Sequence, residues 1–219
     1  MSSSSTIFGP IVTGGDVETW AMNLLRKWFS TYLAEVERQH GYSGHDLPRP
    51  KGWAIGPTWD KWPEDQLPAV KVSSRGVPVP PAKNGDRGYR ARWLLDPGVI
   101  CSARTQAETH ALAMLYGAAV RALVIQRPSL DGHAEAADWI AESYDDLGYD
   151  DTRSLYAVRQ TFSVEVLDVT FGNAGPTEPD VPLEPDDTLP WPPWQEVATV
   201  AITVEQNTVD NPLPEEDRP

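Results

Sequence analysis

The sequence predicts an α+β fold: a mostly antiparallel sheet packed by an N-terminal amphipathic helix and a central helix, with long Pro-rich loops. Three observations predict it. Apolar residues recur at three- and four-residue spacing after Asp16, the period of one helix face. A capping box, Thr105-Gln106-Ala107-Glu108, opens a second apolar run. Between and after these runs apolar residues alternate with polar ones, the period of a half-buried strand. The order helix, strands, helix, short helix, strands is an α+β pattern.

Residues 1–15 read as an N-terminal arm. Asp16 is the predicted N-cap of the first helix, and Glu18 suits the positive end of its dipole. Val17, Trp20, Leu24, Trp28, Tyr32 and Val36 form the expected apolar stripe, widened by Leu25 and Leu33, to about His40, with Gly41 as the stop. Residues 41–68 read as a loop rich in Gly, Pro and Trp. A strand is expected over 69–74, with Val70 and Val72 on one face. Residues 76–88 read as a projecting loop with an Asn84-Gly85 turn.

A further strand follows, in which Tyr89, Ala91, Trp93 and Leu95 alternate with Arg90, Arg92 and Leu94. Asp96-Pro97-Gly98 reads as a turn, and 99–102 as a continuing strand. The helix opened by Thr105 should run to about Gln126, stopped by Pro128, with Ala107, Ala111, Met114, Leu115, Ala118, Ala119 and Ala122 on or near its packing face. Residues 134–147 read as a second, shorter helix. Over 156–171 the strand signal returns; the parity change between Val166 and Val169 predicts a bulge near Leu167-Asp168. Residues 172–193 are a Pro- and Asp-rich insertion, 197–204 a last strand, and 205–219 an acidic C-terminal tail. Residues 16–204 thus form the expected domain.

The net charge of -14 makes nonspecific nucleic-acid binding a poor expectation, since phosphate binding rests on Lys and Arg. It disfavours anionic membranes for the same reason, while a negative surface lets DNA pass without sticking. No run of about 20 apolar residues suggests a membrane span, and the N-terminus lacks a signal-like pattern. Cys101 stands alone, so neither a disulfide framework nor a cysteine zinc site is expected.

No constellation for chemistry emerges. His40, His45 and Asp46 lack a metal-ligand spacing, and His110 and His133 are isolated. Asp145, Asp146, Asp150 and Asp151 read as a solvated face, and no phosphate-loop, dinucleotide or nucleophile-elbow motif is present. No catalytic, metal or cofactor residue is therefore predicted. Trp53, Trp59 and Trp62 have three readings: anchors for a partner, stacking platforms for sugar rings, or a loop folded over its own core.

Taken together, the first amphipathic helix, Leu67-Pro68-Ala69-Val70-Lys71-Val72, the strand-to-helix unit 99–130, the segment Trp139-Ile140-Ala141-Glu142-Ser143-Tyr144 and the final strands make the chain resemble the tail terminator proteins of long-tailed, siphovirus-like bacteriophages. The resemblance covers about residues 16–204. It implies a non-enzymatic virion protein, a six-fold homo-oligomeric ring at the head-proximal end of the tail. Such a ring ends tube polymerisation and offers a head-joining surface. The implied partners are the tail tube protein and a head–tail connector protein, with DNA passing through unread. A head–tail connector (stopper or adaptor) ring is the near alternative, and a Trp-loop carbohydrate-binding or adhesion module the alternative of another class. Interface candidates are Lys83, Arg87 and Arg90 on the projecting loop and its strand, and Trp53, Trp59 and Trp62.

Overall fold

The computed structural model describes residues 9–42, 46–57, 62–85, 88–150 and 153–171, all within a compact unit that ends at Pro176. The expected strand over 197–204, the insertion over 172–193, the acidic tail, and Trp59, Arg87, His45 and Asp151 lie outside the described residues.

Helix α1 spans Gly14–Gln39. Its N-cap is Thr13 rather than Asp16: the Thr13 hydroxyl accepts from the Asp16 N–H, and the Asp16 carboxylate accepts from the Thr13 N–H at 2.7 Å. Asp16 is therefore the third helical residue of a capping box. The reciprocal bonds hold its carboxyl below the usual range, those from Thr13 outweighing a small desolvation. Gly41 ends the helix as expected, at φ +76°, and the Tyr42 N–H donates to the Glu37 carbonyl at 2.9 Å. The buried stripe is centred one position from the predicted one. Ala21, Leu25, Phe29 and Leu33 are fully buried with Val17 and Leu24, while Trp20, Trp28 and Tyr32 are half-buried along its flank.

The sheet has six strands among the described residues: β1 Gly52–Ile55, β2 Ala69–Gly76, β3 Ala82–Asn84, β4 Gly88–Ala103, β5 Ala136–Asp150 and β6 Arg153–Phe171. Their order is β1-β2-β4-β6-β5, with β3 folded back on the start of β4. Only the β1–β2 pairing is parallel. A mixed, mostly antiparallel sheet with two helices is the α+β fold the sequence predicts.

Helix α2, Gln106–Gln126, begins at the predicted Thr105–Glu108 box. Its packing face differs from the predicted one. Thr109, Ala113, Tyr116, Gly117, Ala119, Val120, Leu123 and Val124 are buried, whereas Ala107, Ala111 and Met114 are exposed. Small residues populate both faces, so their positions alone do not say which turns inward. By length and hydropathy α2 meets the criterion for a membrane span, contrary to expectation; here its buried face packs on α1 and the sheet as a core helix.

Two further readings are corrected. Asp96-Pro97-Gly98 is not a turn: β4 runs through it, and the register to β6 is the same on both sides, Leu95 opposite Phe162 and Gly98 opposite Arg159. Pro97 removes a backbone donor in mid-sheet. Neighbouring side chains tie the strands there: the Thr161 hydroxyl donates to the Asp96 carboxylate at 2.7 Å. Residues 134–147 are not a helix but most of β5, paired antiparallel with β6. Register shifts between Trp139 and Ala141 and between Asp146 and Gly148 break its alternation. Each such irregularity offsets side-chain parity, and the result imitates helical spacing. The predicted bulge in β6 is present: Tyr89 opposes Thr170 but Ala91 opposes Val166, and Asp168 has φ +51°.

Candidate assembly surface

Alternation divides the sheet into two faces. Val70, Val72, Ala91, Trp93, Leu95, Val99, Cys101, Val158, Phe162 and Val164 point to the helices and form the main core. Neither α1 nor α2 covers the opposite face. At one end it holds a small apolar cluster of Leu67, Ala69, Ile100 and Ala157, with Trp62, Leu147 and Leu155 packed on it. Much of the rest is polar, and three ion-paired groups join its strands.

The centre of that face is Asp96. Its carboxylate is buried and receives Arg75 Nε at 2.7 Å, Arg75 Nη2 at 2.8 Å and the Thr161 hydroxyl at 2.7 Å. A two-pronged guanidinium contact with a hydroxyl added satisfies a carboxylate that would otherwise be costly to bury. Towards β3, Glu165 takes Arg92 at 2.9 Å and Arg90 at 3.6 Å. Arg92 and Glu165 are direct cross-strand partners. Towards β5, Arg159 meets Asp145 at 2.6 Å. A shallow cavity of about 210 Å³ lies beside the hairpin, lined by Val79, Pro80, Ala82, Arg90, Arg92 and Glu165.

The predicted interface residues divide accordingly. Lys83 is exposed on β3, and Arg90 stands beside it on β4, half-exposed and facing Glu165. The basic hairpin is thus a surface element, with Val77 and Val79 exposed on its Pro-rich approach. Trp53 lies in β1, half-buried against the main core and under Arg26 at 5.9 Å. Trp62 packs on the opposite side of the sheet, over Gly52; a Cβ at Gly52 would lie 2.6 Å from its indole nitrogen. The two tryptophans therefore sit on different faces and share no platform.

The surface has a second part that sequence reasoning misses, because 134–147 reads as a helix by its spacing. β5 is 15 residues long and forms one edge of the sheet. Trp139 and Ile140 are 45% and 55% exposed on it, large values for such side chains in a strand. α2, joined to β5 through Arg121, carries exposed Met114 and Ile125. A polar seam joins β5 to α2: Arg121 meets Glu142 at 2.5 Å and lies over the Trp139 ring at 5.1 Å. Tyr144 donates to Glu142, and His110 stands edge-on to Tyr144 at 5.3 Å. Burial alone would raise the Glu142 carboxyl, but bonds from Tyr144, Gln160 and Arg121 outweigh it and hold the carboxyl below its ordinary value. Tyr144 is pushed up to about 12 by burial and by the same carboxylate.

The acidic run expected as a helix end lies instead on β5, where Asp145 pairs with Arg159, and Asp146 accepts from the Gln106 side chain at 3.0 Å. Among the described residues no group of three His, Cys, Asp or Glu side chains is placed to hold a metal ion. His133 stacks on Trp20 at 5.1 Å, and His40 caps α1. Cys101 is fully buried, and burial pushes its thiol up to about 12, so it is a packing residue rather than a nucleophile.

A scan against protein-family models found no match, and no curated protein matches the chain significantly.

Proposed function

We propose that this chain is a structural subunit of a ring that caps a phage-type tail tube, ends its polymerisation and presents a surface to a head-side connector. The observation that carries this reading is the long edge strand β5 with exposed Trp139 and Ile140, on a sheet whose far edge, β1, has only four residues. Exposed long edges template pairing with another chain unless they are guarded. Contacts between unlike surfaces of identical copies generate rings when the rotation closes. The sequence resemblance supplies the particular role: a virion protein at the head-proximal end of the tail, with the tube protein and a connector as partners. A head–tail connector ring uses the same features and is the second reading. The sugar-stacking module is disfavoured, because Trp53 and Trp62 pack on opposite faces of their own sheet.

In this reading the basic hairpin carrying Lys83 and Arg90 contacts the tube. Negative-stain imaging of purified protein, alone and with tube protein, tests the function. Rings seated at tube ends, and tubes that stop growing, are the expected result. Tubes that lengthen unchanged beside unbound protein would refute it. Rings that bind connectors but never tubes would favour the second reading. Lys83→Glu, at an exposed position of β3, should leave the fold intact and weaken seating on the tube.

A further inference from the structure

We propose that the groove between α1 and α2 is the docking site for an acidic, amphipathic helix of a partner protein. This surface includes neither Lys83 nor Arg90 and is separate from the hairpin that meets the tube.

The outward side of α2 is apolar and uncovered. Ala111, Leu115, Ala118, Ala122 and Ile125 follow one another in steps of four and three residues, and none of them is buried. That spacing is the seam along which helices pack on one another. A helix that is apolar all round is ordinarily enclosed all round, yet 44% of the apolar stretch of α2 is buried. Beside the stripe lies an open groove of about 800 Å³, with Ala118 and Ala122 of α2 on one side and Trp28, Tyr32 and Val36 of α1 on the other. It follows α1 from Trp28 to Gln39, a length of about 17 Å at 1.5 Å per residue, room for about three turns of a third helix. The small side chains on α2 let that helix approach closely, and a helix laid apolar face down in such a groove is a recurring mode of recognition.

Charge selects the sign of the occupant. Among the described residues that line the groove, Arg38, Arg121 and Arg127 face a single carboxylate, Glu35. The chain as a whole has the opposite balance, with 32 acidic and 18 basic residues. Arg38 is bound to Glu35 on its own exposed turn, and Arg121 to Glu142. Arg127 is the least satisfied of the three. Its guanidinium lies over the Trp28 ring at 3.6 Å, and Asp131 stands 3.8 Å away, already bound to Lys27 at 2.8 Å. The Arg127 Nε–H and the Trp28 indole N–H have no acceptor among the described residues. This end of the groove is therefore rich in donors and poor in acceptors. A carboxylate brought there pairs with the Arg127 guanidinium and offsets the imbalance.

A helix of a second copy does not meet these terms. α2 contains one carboxylate, Glu108. Those of α1 are engaged: Asp16 in its cap, Glu18 by the Ser74 N–H, Glu35 by Arg38, and Glu37 in the interior. Neither helix presents a free acidic row. DNA supplies anions but no apolar face to fill the side of the groove formed by Ala118 and Ala122, and the net charge of -14 opposes its approach. An acidic helix with an apolar stripe supplies both.

The probe is a fluorescein-labelled synthetic helix of about 15 residues, with leucine on one face and glutamate on the other; its twin carries lysine for glutamate. Anisotropy titrations use the full chain and its Arg38→Glu, Arg127→Gln and Ala122→Glu variants, each checked by thermal melting. The acidic helix should bind, more weakly as salt rises, and the lysine twin should bind roughly ten-fold more weakly or worse. Arg127→Gln and Ala122→Glu should each weaken the acidic helix by roughly ten-fold or more. Arg38→Glu, at an exposed side chain, should weaken it too and keeps the test decisive where another variant fails to fold. Equal binding of the two helices, no binding of the acidic one, or binding unchanged in the folded variants would each overturn the proposal. Self-association of the full chain that Ala122→Glu abolishes would place a second copy in the groove. Displacement of the acidic helix by a DNA duplex would show a general anion site. Either of these also overturns the docking of an acidic partner helix.

Discussion

Gly117 sits in the middle of α2, where glycine costs about 1 kcal/mol relative to alanine in an exposed helix. The structure explains its presence. An added Cβ would lie 2.7 Å from Val158 Cγ2 and 3.0 Å from Gln160 Nε2, on two fully buried side chains of β6. Gln160 also donates to the Gly117 carbonyl at 3.2 Å and accepts from the Trp139 indole at 2.8 Å. Gly117→Ala therefore gains about 1 kcal/mol of helix propensity. Against this it forces an overpacked contact costing about 1–3 kcal/mol. It also strains a buried hydrogen bond worth about 1 kcal/mol. The loss wins, by about 1–3 kcal/mol net. For a chain of this size that lowers the midpoint by roughly 2–4 °C per kcal/mol. Thermal and urea melts of Gly117→Ala should show the fall, and Ala111→Gly, on the exposed side of the same helix, should lose only the propensity increment. A Gly117→Ala protein as stable as the parent, or more so, would refute the close approach of α2 to β6.

Thr105→Ala removes the N-cap of α2 and should cost about 1 kcal/mol in urea unfolding, with Thr105→Ser close to wild type; equal stability of the alanine variant would contradict the capping role. Cys101, buried and with its thiol pushed up to about 12, should label slowly at pH 8 and fast in denaturant; rapid native labelling would contradict its burial. Glu142, held below its ordinary value by Tyr144, Gln160 and Arg121 against the effect of burial, contributes stability that is present above its unfolded value near 4.5 and lost as pH falls through its lower folded value. Glu142→Gln should therefore be less stable than wild type at pH 7, with the gap closing on acidification through that window; a gap that widens in acid would reverse the sign of the argument.

The two helices and four of the strand regions were legible because their patterns were local. The Thr105–Glu108 box and the run after it specify α2 within one turn of its observed ends. Gly41 marks the end of α1 through a positive φ that glycine takes without cost. The parity change at Leu167-Asp168 was visible because the bulge offsets the alternation locally, so that Val166 and Val169 both reach the core. β1 was illegible: it is four residues of Gly, Trp, Ala and Ile in a Pro-rich stretch, and only its parallel partner β2 makes it a strand. β5 was misread for a related reason. Two register shifts interrupt its period, so Trp139, Ile140 and Tyr144 fall at helical spacing, and the pairing partner that decides the matter lies in β6. The candidate surface inherits this limit. Lys83 and Arg90 were visible as charges on a turn, but the exposed edge depends on knowing that 136–150 is a strand and which strand it leaves unpaired.

The charged face gives the deeper reason why the sheet needs so few helices. An antiparallel sheet with one face packed can leave the other to water if that face is polar. Here it is polar in a particular way: Arg75 with Asp96, Arg92 with Glu165, and Arg159 with Asp145 each join residues on different strands. The more exposed of these, Arg92 with Glu165 and Arg159 with Asp145, contribute about 0.2–1 kcal/mol apiece, too little to replace a second hydrophobic layer. Their larger effect is on register. A slip of one residue in β6 would send Glu165 and Thr161 to the helix side and Phe162 and Val164 to the charged side. Asp96 would then be a buried carboxylate without its hydroxyl donor, and Arg92 would lose its acidic partner. The core and the charged face thus select the same alignment, and that alignment tolerates Pro97 in the longest central pairing. The alternation around Arg90 and Arg92 already showed this division in the sequence. What the sequence withheld was the acidic half of each pair, which comes from strands tens of residues away.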